Sequence, residues 1–133
     1  MRKVKVLKIE PLKHPIPFQL NTSIDGFNRA VSIGTDEICN ASSKEIKDDV
    51  YILYNRNGYF YNLTPNRKVG KEIITGIFYI IACDENYHPR SLTQSEAKKY
   101  STMFWNPEIY SDTEAIKNSL DTFCDSIDEL ENF

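Results

Sequence analysis

The stretch Ile73–Cys83 reads IITGIFYIIAC and holds the longest apolar run of the chain. Most of its residues are β-branched or aromatic, which are the side chains that strands favour. Both of its alternating faces are apolar, as in a strand that is buried on both sides of a sheet. Gly76 within it indicates a bulge or a close approach of another part of the chain. The stretch therefore predicts a central strand.

The segment that precedes this strand predicts a β-hairpin. Val50–Asn55 divides its side chains between two faces: Val50, Ile52 and Tyr54 on one, Tyr51 and Leu53 on the other. Asn57-Gly58 follows, and this pair is preferred in tight turns whose two central residues have positive φ. The strand pattern resumes over Tyr59–Leu63. Residues 64–67, which read TPNR, predict the end of this second strand.

The N-terminal region predicts one strand and one helix. Residues 4–9 alternate between apolar residues and lysines, as in a strand with one solvated face. Three prolines between residues 11 and 17 predict an extended connection, because proline lacks the amide hydrogen and disfavours a helix before it. Apolar residues then recur at helical spacing over residues 22–32, with Asn21–Ser23 as capping candidates and Gly34 as the end.

Two helices are predicted near the C-terminus. Thr93 and Glu96 have the spacing of a capping box, and so do Ser111 and Glu114. The second helix carries an apolar stripe with steps of four and three residues: Ile116, Leu120, Phe123, Ile127 and Leu130.

The predicted architecture is α+β. It has a mostly antiparallel sheet of four to five strands, a helix after strand 1 and two C-terminal helices packed on the sheet. Residues 1–133 form a single domain, with an α+β body over residues 1–110 and an acidic amphipathic helix over residues 111–133.

Charge is divided unevenly along the chain. The net charge is −3, yet residues 1–105 carry 15 of the 16 basic and 11 of the 19 acidic residues, a net of +4. Residues 106–133 hold the other eight acidic residues and one lysine, a net of −7. The body is mildly basic, and the C-terminal segment is strongly acidic.

Composition argues against a membrane, disulfide or metal protein. Residues 1–6 do not resemble a signal peptide, and the longest apolar run is far shorter than the ~20 residues of a membrane span. Cys39, Cys83 and Cys124 are an odd number without a close pair, which favours reduced thiols in a cytoplasmic setting. Because only two histidines accompany them, we expect no metal and no cofactor.

The order of these features is similar to that of a known family. The shared features are Glu10-Pro11, Val31, Gly34, Asn55-Arg56-Asn57-Gly58, Asn66-Arg67, Gly76-Ile77-Phe78, Ser91-Leu92-Thr93 and Phe104. On these features, residues 4–108 resemble a family of small uncharacterised domains encoded on bacterial phages, plasmids and other mobile elements. The chain departs from the family pattern in two ways, because Gly34 stands where a glycine pair is common and the acidic helix lies outside the shared core.

The resemblance implies a mobile-element accessory protein and brings no catalytic residues. Small proteins of such elements often block a host defence protein or sequester its signalling nucleotide. These implications are expectations about the genomic setting, and a shared fold does not by itself carry a shared function.

The first candidate ligand site is a basic patch after the predicted hairpin. The guanidinium of Arg67 beside a turn suits a phosphate or a carboxylate. Asn66, Lys68, Lys71 and Arg56 are expected to join it. In the alternative interpretation, Asn66 bonds within its own turn and Arg67 pairs with a local acid or carbonyl.

Aromatic residues of the predicted hairpin are the second candidate. The candidates for stacking on nucleic-acid bases, with Arg56 and Arg67 on the phosphates, are Tyr51, Tyr54, Tyr59, Phe60 and Tyr61. In the alternative, strand alternation turns half of these rings into the core, where aromatic pairs stabilise sheets. The modest positive charge of the body disfavours direct nucleic-acid binding.

The acidic helix is the third candidate. Four of its acids, Asp121, Asp125, Asp128 and Glu129, are candidate partner contacts. Its apolar stripe either packs on the body of its own chain or joins two copies, since the 4-3-4-3 spacing also suits a coiled coil. As a further alternative, the acids mimic nucleic-acid phosphates.

Catalysis is not expected. Cys83 and His88 form the one suggestive pair, because a thiolate beside an imidazole is a nucleophile. A cysteine at the end of an apolar strand is more often a small hydrophobic residue. The common phosphate-loop, nucleophile-elbow and zinc-protease motifs are missing from the sequence.

The sequence patterns predict a non-enzymatic interaction protein, and the resemblance implies that it is of phage type, an inhibitor of a bacterial defence system that binds a host protein. The first alternative is an oligomeric sponge for a signalling nucleotide, assembled through the C-terminal helix. The second alternative is an acidic nucleic-acid mimic. Neutralising the acids of the helix separates a protein blocker from a sponge, which should instead depend on Arg67.

Overall fold

The computed structural model describes the backbone of residues 2–131 and the side chains of residues 2–121. A short 3₁₀ turn, Gly58–Tyr61, follows the fourth of the eight strands. The strands and helices are β1 (Lys3–Ile9), β2 (Ile16–Asn21), α1 (Ile24–Val31), β3 (Ser42–Lys47), β4 (Val50–Tyr54), β5 (Pro65–Val69), β6 (Glu72–Thr75), β7 (Phe78–Cys83), β8 (Pro89–Arg90), α2 (Gln94–Met103) and α3 (Asp112–Glu131).

The main sheet is antiparallel, with strand order β2-β1-β7-β4-β3 and β8 paired with β7. A separate two-stranded sheet joins β5 and β6. The predicted α+β class, the antiparallel sheet and the two C-terminal helices are confirmed. The first helix follows strand 2 rather than strand 1, because the proline-rich connection contains β2. This strand is an edge strand and pairs only with β1, so that Pro17 is tolerated there.

The sheet buries both of its faces. On one side, which we call the α2 face, the sheet forms a core with Ile74 of β6, Tyr100 of α2 and the flanking Leu92 and Phe104; its own residues there are Leu7, Ile9, Val50, Ile52, Tyr54, Phe78, Ile80 and Ala82. On the other side, which we call the α1 face, it forms a core with Val31 of α1; the residues of the sheet and its edge there are Val4, Val6, Leu20, Leu53, Ile77, Tyr79 and Ile81. The predicted alternation within β4 and the central position of β7 are both confirmed.

The predicted single strand over residues 73–83 is divided at Gly76. This residue has a φ of +80°, and a Cβ on it would lie 2.7 Å from a methyl carbon of Leu63. The left-handed backbone turns the chain, so that β6 and β7 belong to different sheets. The predicted close approach is therefore confirmed, whereas the continuous strand is wrong.

The predicted hairpin at Asn57-Gly58 is also wrong. Asn57 has a φ of −97°, and Gly58 begins the 3₁₀ turn instead of a strand. Gly58 is required because a Cβ there would lie 2.4 Å from the hydroxyl oxygen of Thr75. β4 pairs with β3 and β7 instead of with the residues after Gly58. Most of the predicted break at residues 64–67 lies within β5.

Both predicted capping boxes are present. The Thr93 hydroxyl accepts from the Glu96 amide, and the Glu96 carboxylate accepts from the Thr93 amide, which fixes the start of α2. Ser111 and Glu114 make the same reciprocal bonds at the start of α3. Over residues 2–131, no helix combines the length and apolar character that a membrane span requires.

Candidate functional site

Arg67 forms a buried polar centre that joins three segments of the chain. Its side chain points from β5 into the interior and is fully buried. The guanidinium donates to the carbonyl oxygens of Phe104 at 2.8 and 3.1 Å, Lys13 at 2.6 Å and Glu10 at 3.3 Å. It also donates to the side-chain oxygen of Asn66 at 2.8 Å. All five of its donor hydrogens are thereby used.

The charge of Arg67 is balanced by carbonyl dipoles rather than by a contacting carboxylate. Phe104 is the C-cap of α2, so that its carbonyl lies at the negative end of the helix dipole. Burial lowers the pKa of Arg67, and the negative charge of Glu108 opposes that shift. The side-chain amide of Asn66 completes the centre, because its Nδ2 donates to the carbonyl oxygens of Ile9 at 2.9 Å and Gly76 at 2.8 Å.

This geometry corrects the expectation that Asn66 and Arg67 form an exposed phosphate site. Both side chains are buried, and Arg67 binds local carbonyls, which is the alternative that the sequence left open. Lys68, the next residue along β5, is exposed because strand alternation turns it outward. The structure thus separates Lys68 from Arg67 rather than bringing them together.

The candidate residues before β5 lie on the turn that replaces the predicted hairpin. Arg56 is exposed, whereas Tyr59 and Tyr61 are half-buried. Tyr59 makes an edge contact with the exposed ring of Phe60 at 5.0 Å. Tyr61 donates a hydrogen bond to the carboxylate of Glu37, which raises its pKa. The turn therefore exposes one cation and one aromatic ring.

A stacked pair of rings adjoins the Arg67 centre along the chain, because His14 follows Lys13 and Trp105 follows Phe104. The rings of His14 and Trp105 lie 4.2 Å apart and nearly parallel, and His14 Nδ1 lies 2.6 Å from the Trp105 carbonyl oxygen. Trp105 remains 48% exposed. Leu12, with a φ of +66°, is exposed on the same loop as His14. No sequence pattern predicted this pair, because the two residues are far apart in the chain.

Helix α3 contacts the body through its small and polar side. Ala115 is buried, and Asn118 bonds to both Ile73 and Lys71 at the end of β6. Ile116 and Leu120 of the predicted stripe are 43% and 55% exposed. In the described part of α3, the stripe therefore does not pack on the body.

The acidic candidates of α3 are only partly covered by the structure. Asp121 is exposed. Asp125, Asp128 and Glu129 lie outside the residues whose side chains are described.

The structure offers little support for a nucleophilic cysteine. Burial, followed by the negative charges of Asp84 and Asp49, raises the pKa of Cys83, which disfavours the thiolate. His88 is exposed and lies 4.0 Å from Asp84 rather than in contact with the thiol. Among the described residues, no three potential metal ligands lie together.

The α1 face carries a groove that the sequence analysis missed. Because α1 has only eight residues, it leaves part of the sheet uncovered beside it. The resulting groove, which we call the α1 groove, has a volume of about 400 Å³. Its lining includes Phe27, Tyr51, Ile81, Cys83 and Tyr87.

Comparison with known proteins identifies the family of the chain. Residues 3–105 match the sequence signature of the family described as domain of unknown function DUF3846. The chain belongs to this family. No curated protein and no solved structure is significantly similar to it. The DUF3846 match includes the Arg67 centre and the α1 groove, and it ends before α3.

Proposed function

We propose that this DUF3846 protein is a non-enzymatic interaction protein that binds another protein through the outer side of α3. The observation that carries the proposal is the exposure of Ile116 and Leu120 on a helix that is anchored to the body by its opposite side. An apolar stripe on an exposed amphipathic helix is a common protein-binding element. The sequence continues the same spacing to Phe123, Ile127 and Leu130.

Charge favours a basic partner over a second copy of the chain. Asp112, Glu114 and Asp121 are exposed in the described part of α3, with Lys117 as the one exposed cation among them. Residues 106–133 carry a net charge of −7, so that two such helices side by side would repel each other. The surface that fits α3 is an apolar groove with basic residues at its rim.

The narrower hypothesis concerns the identity of the partner. We propose a host defence protein of a bacterium that carries the gene on a mobile element, and this rests on the family resemblance of the sequence alone. The nucleotide sponge is weaker, because Arg67 is buried and fully bonded, so that only Lys68, Lys71 and Arg56 remain for a phosphate. Lys68→Ala is consequently a better test of a sponge than Arg67→Ala, which would damage the fold.

Site-specific photocrosslinking tests the proposal. A benzophenone amino acid is placed at position 116 or position 120 of the full chain, and the protein is irradiated in bacterial cells. We expect one discrete adduct with another protein from both positions. The same group at Lys98, an exposed residue of α2, is the matched control and should give no such adduct.

Competition then establishes that the stripe is responsible. Excess unlabelled protein should remove the adduct, whereas excess protein with Ile116→Asp and Leu120→Asp should not. A product of twice the chain mass would identify a seam between two copies and contradict the basic partner. Equal competition by the double variant would also contradict the proposal, because the stripe would then be dispensable.

A further inference from the structure

Strand register fixes one row of residues on the α1 face, of which Tyr51 and Ile81 line the α1 groove. Glu45 on β3 is the partner of Tyr51 on β4, and Tyr51 is the partner of Ile81 on β7. Side chains of paired residues lie on the same side of a sheet, so that these three form one row on the α1 face. Phe27 from α1 and Tyr87 from the β7–β8 turn also line the groove. Three aromatic side chains therefore lie around an apolar floor.

Two carboxylates outside the lining of the groove lie beside two of its lining residues, because the charges of Glu45 and Asp49 act on Tyr51 and that of Asp49 acts on Cys83. The Cys83 amide donates to the carbonyl of Asp49 at 2.9 Å, which holds the β3–β4 turn against the end of β7. Asp49 and Glu45 therefore lie near Cys83 and Tyr51. Among the described side chains, no lysine or arginine nitrogen lies within 4.0 Å of either of these two carboxylates.

The lysines of β3 do not cancel this charge within the groove. Lys44 is the partner of Ile52 and Lys47 is the partner of Val50, so that strand register places both on the α2 face. Arg90 is near Cys83, but its guanidinium is engaged with Glu96 at 2.7 and 3.0 Å. The groove is thus bordered by negative charge on its own face.

The pKa shifts of Tyr51 and Cys83, which both line the groove, agree with this geometry. Burial raises the pKa of Tyr51, and the negative charges of Glu45 and Asp49 raise it further. Burial and nearby acids act in the same direction on Cys83. The phenol and the thiol are consequently neutral at physiological pH, and the charge of the groove comes from the carboxylates.

We propose that the α1 groove binds a small organic cation that carries a quaternary or alkylated ammonium group. Aromatic rings attract such a cation through their quadrupoles, and its alkyl substituents gain from contact with the apolar floor. The carboxylates add a long-range attraction that a neutral ligand of the same shape would lack. A volume of about 400 Å³ lies within the usual range of small-molecule sites. This site is independent of α3.

Choline and its neutral isostere 3,3-dimethylbutan-1-ol are the probes that test the proposal. The full-length protein is titrated with each compound, and amide chemical shifts are followed by NMR. We expect choline to shift the resonances of Tyr51, Ile81 and Tyr87 saturably, with a Kd in the range of about 1 mM. The neutral isostere should bind roughly tenfold more weakly, because it lacks the cation–π and charge contributions.

Two variants locate the interaction. Tyr87→Asn removes an exposed ring from a position with a φ of +61°, a conformation that asparagine tolerates well, and should weaken choline binding roughly fivefold. Glu45→Gln should weaken it roughly threefold while keeping an oxygen that accepts from the Asp49 amide. Phe60→Ala removes an exposed ring that does not line the groove, and Asp36→Asn removes an exposed acid whose charge, unlike that of Glu45, is not among those that act on Tyr51 or Cys83; both should leave the Kd unchanged.

Three outcomes would overturn the proposal. The first is the lack of a saturable shift of groove resonances up to about 50 mM choline. The second is equal affinity for choline and the neutral isostere, which would make the groove a simple apolar site. The third is an equal loss of affinity in Tyr87→Asn and Phe60→Ala, which would place binding elsewhere. Retained chemical-shift dispersion in each variant shows that the fold is intact.

Discussion

The two faces of the sheet differ in how completely they are covered. The α2 face is closed by α2 and the β5–β6 hairpin, and the buried Arg67 binds the surrounding loops to them. The α1 face is covered by an eight-residue helix and keeps a groove of about 400 Å³. Alternate residues of one strand therefore belong to a closed core on the α2 face and to a partly open surface on the α1 face.

This difference between the faces indicates where substitutions affect folding and where they affect binding. A closed core is sensitive to every lost contact, because a cavity in it stays empty. A groove wall can lose atoms at lower cost, since water or a ligand fills the space. We therefore expect substitutions on the α2 face to act on folding and substitutions on the α1 face to act on binding.

The largest effect is expected at Arg67. Arg67→Met leaves the carbonyls of Glu10, Lys13 and Phe104 without their donor, and each unsatisfied buried group costs about 1–3 kcal/mol. The free energy of unfolding should fall by about 4 kcal/mol, as measured by urea denaturation. Arg29→Met, on an exposed arginine whose partner Asp25 is also exposed, is the matched control and should cost less than about 1 kcal/mol. A loss below about 1 kcal/mol at Arg67 would show that water replaces the guanidinium.

Substitution of two adjacent isoleucines compares how much each face contributes to stability. Ile80 is buried on the α2 face, and Ile81 is buried on the α1 face, where it lines the groove. Ile80→Ala should reduce the free energy of unfolding by about 4 kcal/mol and Ile81→Ala by about 2 kcal/mol. Thermal or urea unfolding of the two variants gives this ranking. Equal losses would mean that the α1 groove closes in solution.

A smaller effect concerns acid stability at the start of α2. Arg90 holds the pKa of Glu96 at about 2, below its usual 4.5. Because the pKa is lower in the folded state, the resulting stabilisation is present above pH 4.5 and is lost as the pH falls towards 2. The partial exposure of the pair reduces the contribution to about 1–2 kcal/mol.

Glu96→Gln isolates this contribution. Glutamine keeps the capping bond to Thr93 but loses the charge. Unfolding curves recorded between pH 2 and pH 6 should show a shallower pH dependence in the variant than in the unchanged protein. Parallel curves would show that the Arg90–Glu96 pair does not stabilise the fold.

The smallest effect is expected at the α3 stripe. Ile116 and Leu120 are 43% and 55% exposed, so that Ile116→Ser with Leu120→Ser should change the free energy of unfolding by less than about 0.5 kcal/mol. Ala115→Asp, on the buried side of the same helix, is the matched contrast and should detach α3. A large loss in the serine variant would show that the stripe is part of the core.

Local sequence patterns predicted some of the helices and strands correctly but not all of them. The capping boxes, the faces of β4 and the central β7 follow from neighbouring residues and were predicted correctly. The hairpin at Asn57-Gly58 was not, because Gly58 is selected by its contact with Thr75 rather than by a turn. An edge strand with prolines, such as β2, lacks the signals that mark a strand in isolation.

The candidate sites also combine features that local sequence predicts with features that depend on distant parts of the chain. The sequence singled out Arg67 as a cation beside a turn, yet nothing local reveals that carbonyls from two distant segments surround it. The row of Glu45, Tyr51 and Ile81 was likewise invisible, since it depends on the pairing of three strands. Strand alternation marked the face of each residue without showing which strands become neighbours.

By itself, the sequence determined the α+β class, the amphipathic C-terminal helix and the separation of a basic body from an acidic segment, because these depend on composition and local periodicity. Only the tertiary structure decided that Arg67 is internal, that Ile116 and Leu120 of α3 are exposed and that a groove remains beside α1. These features depend on contacts between residues far apart in the chain. Burial, unlike helix or strand preference, is a property of what the rest of the molecule leaves uncovered.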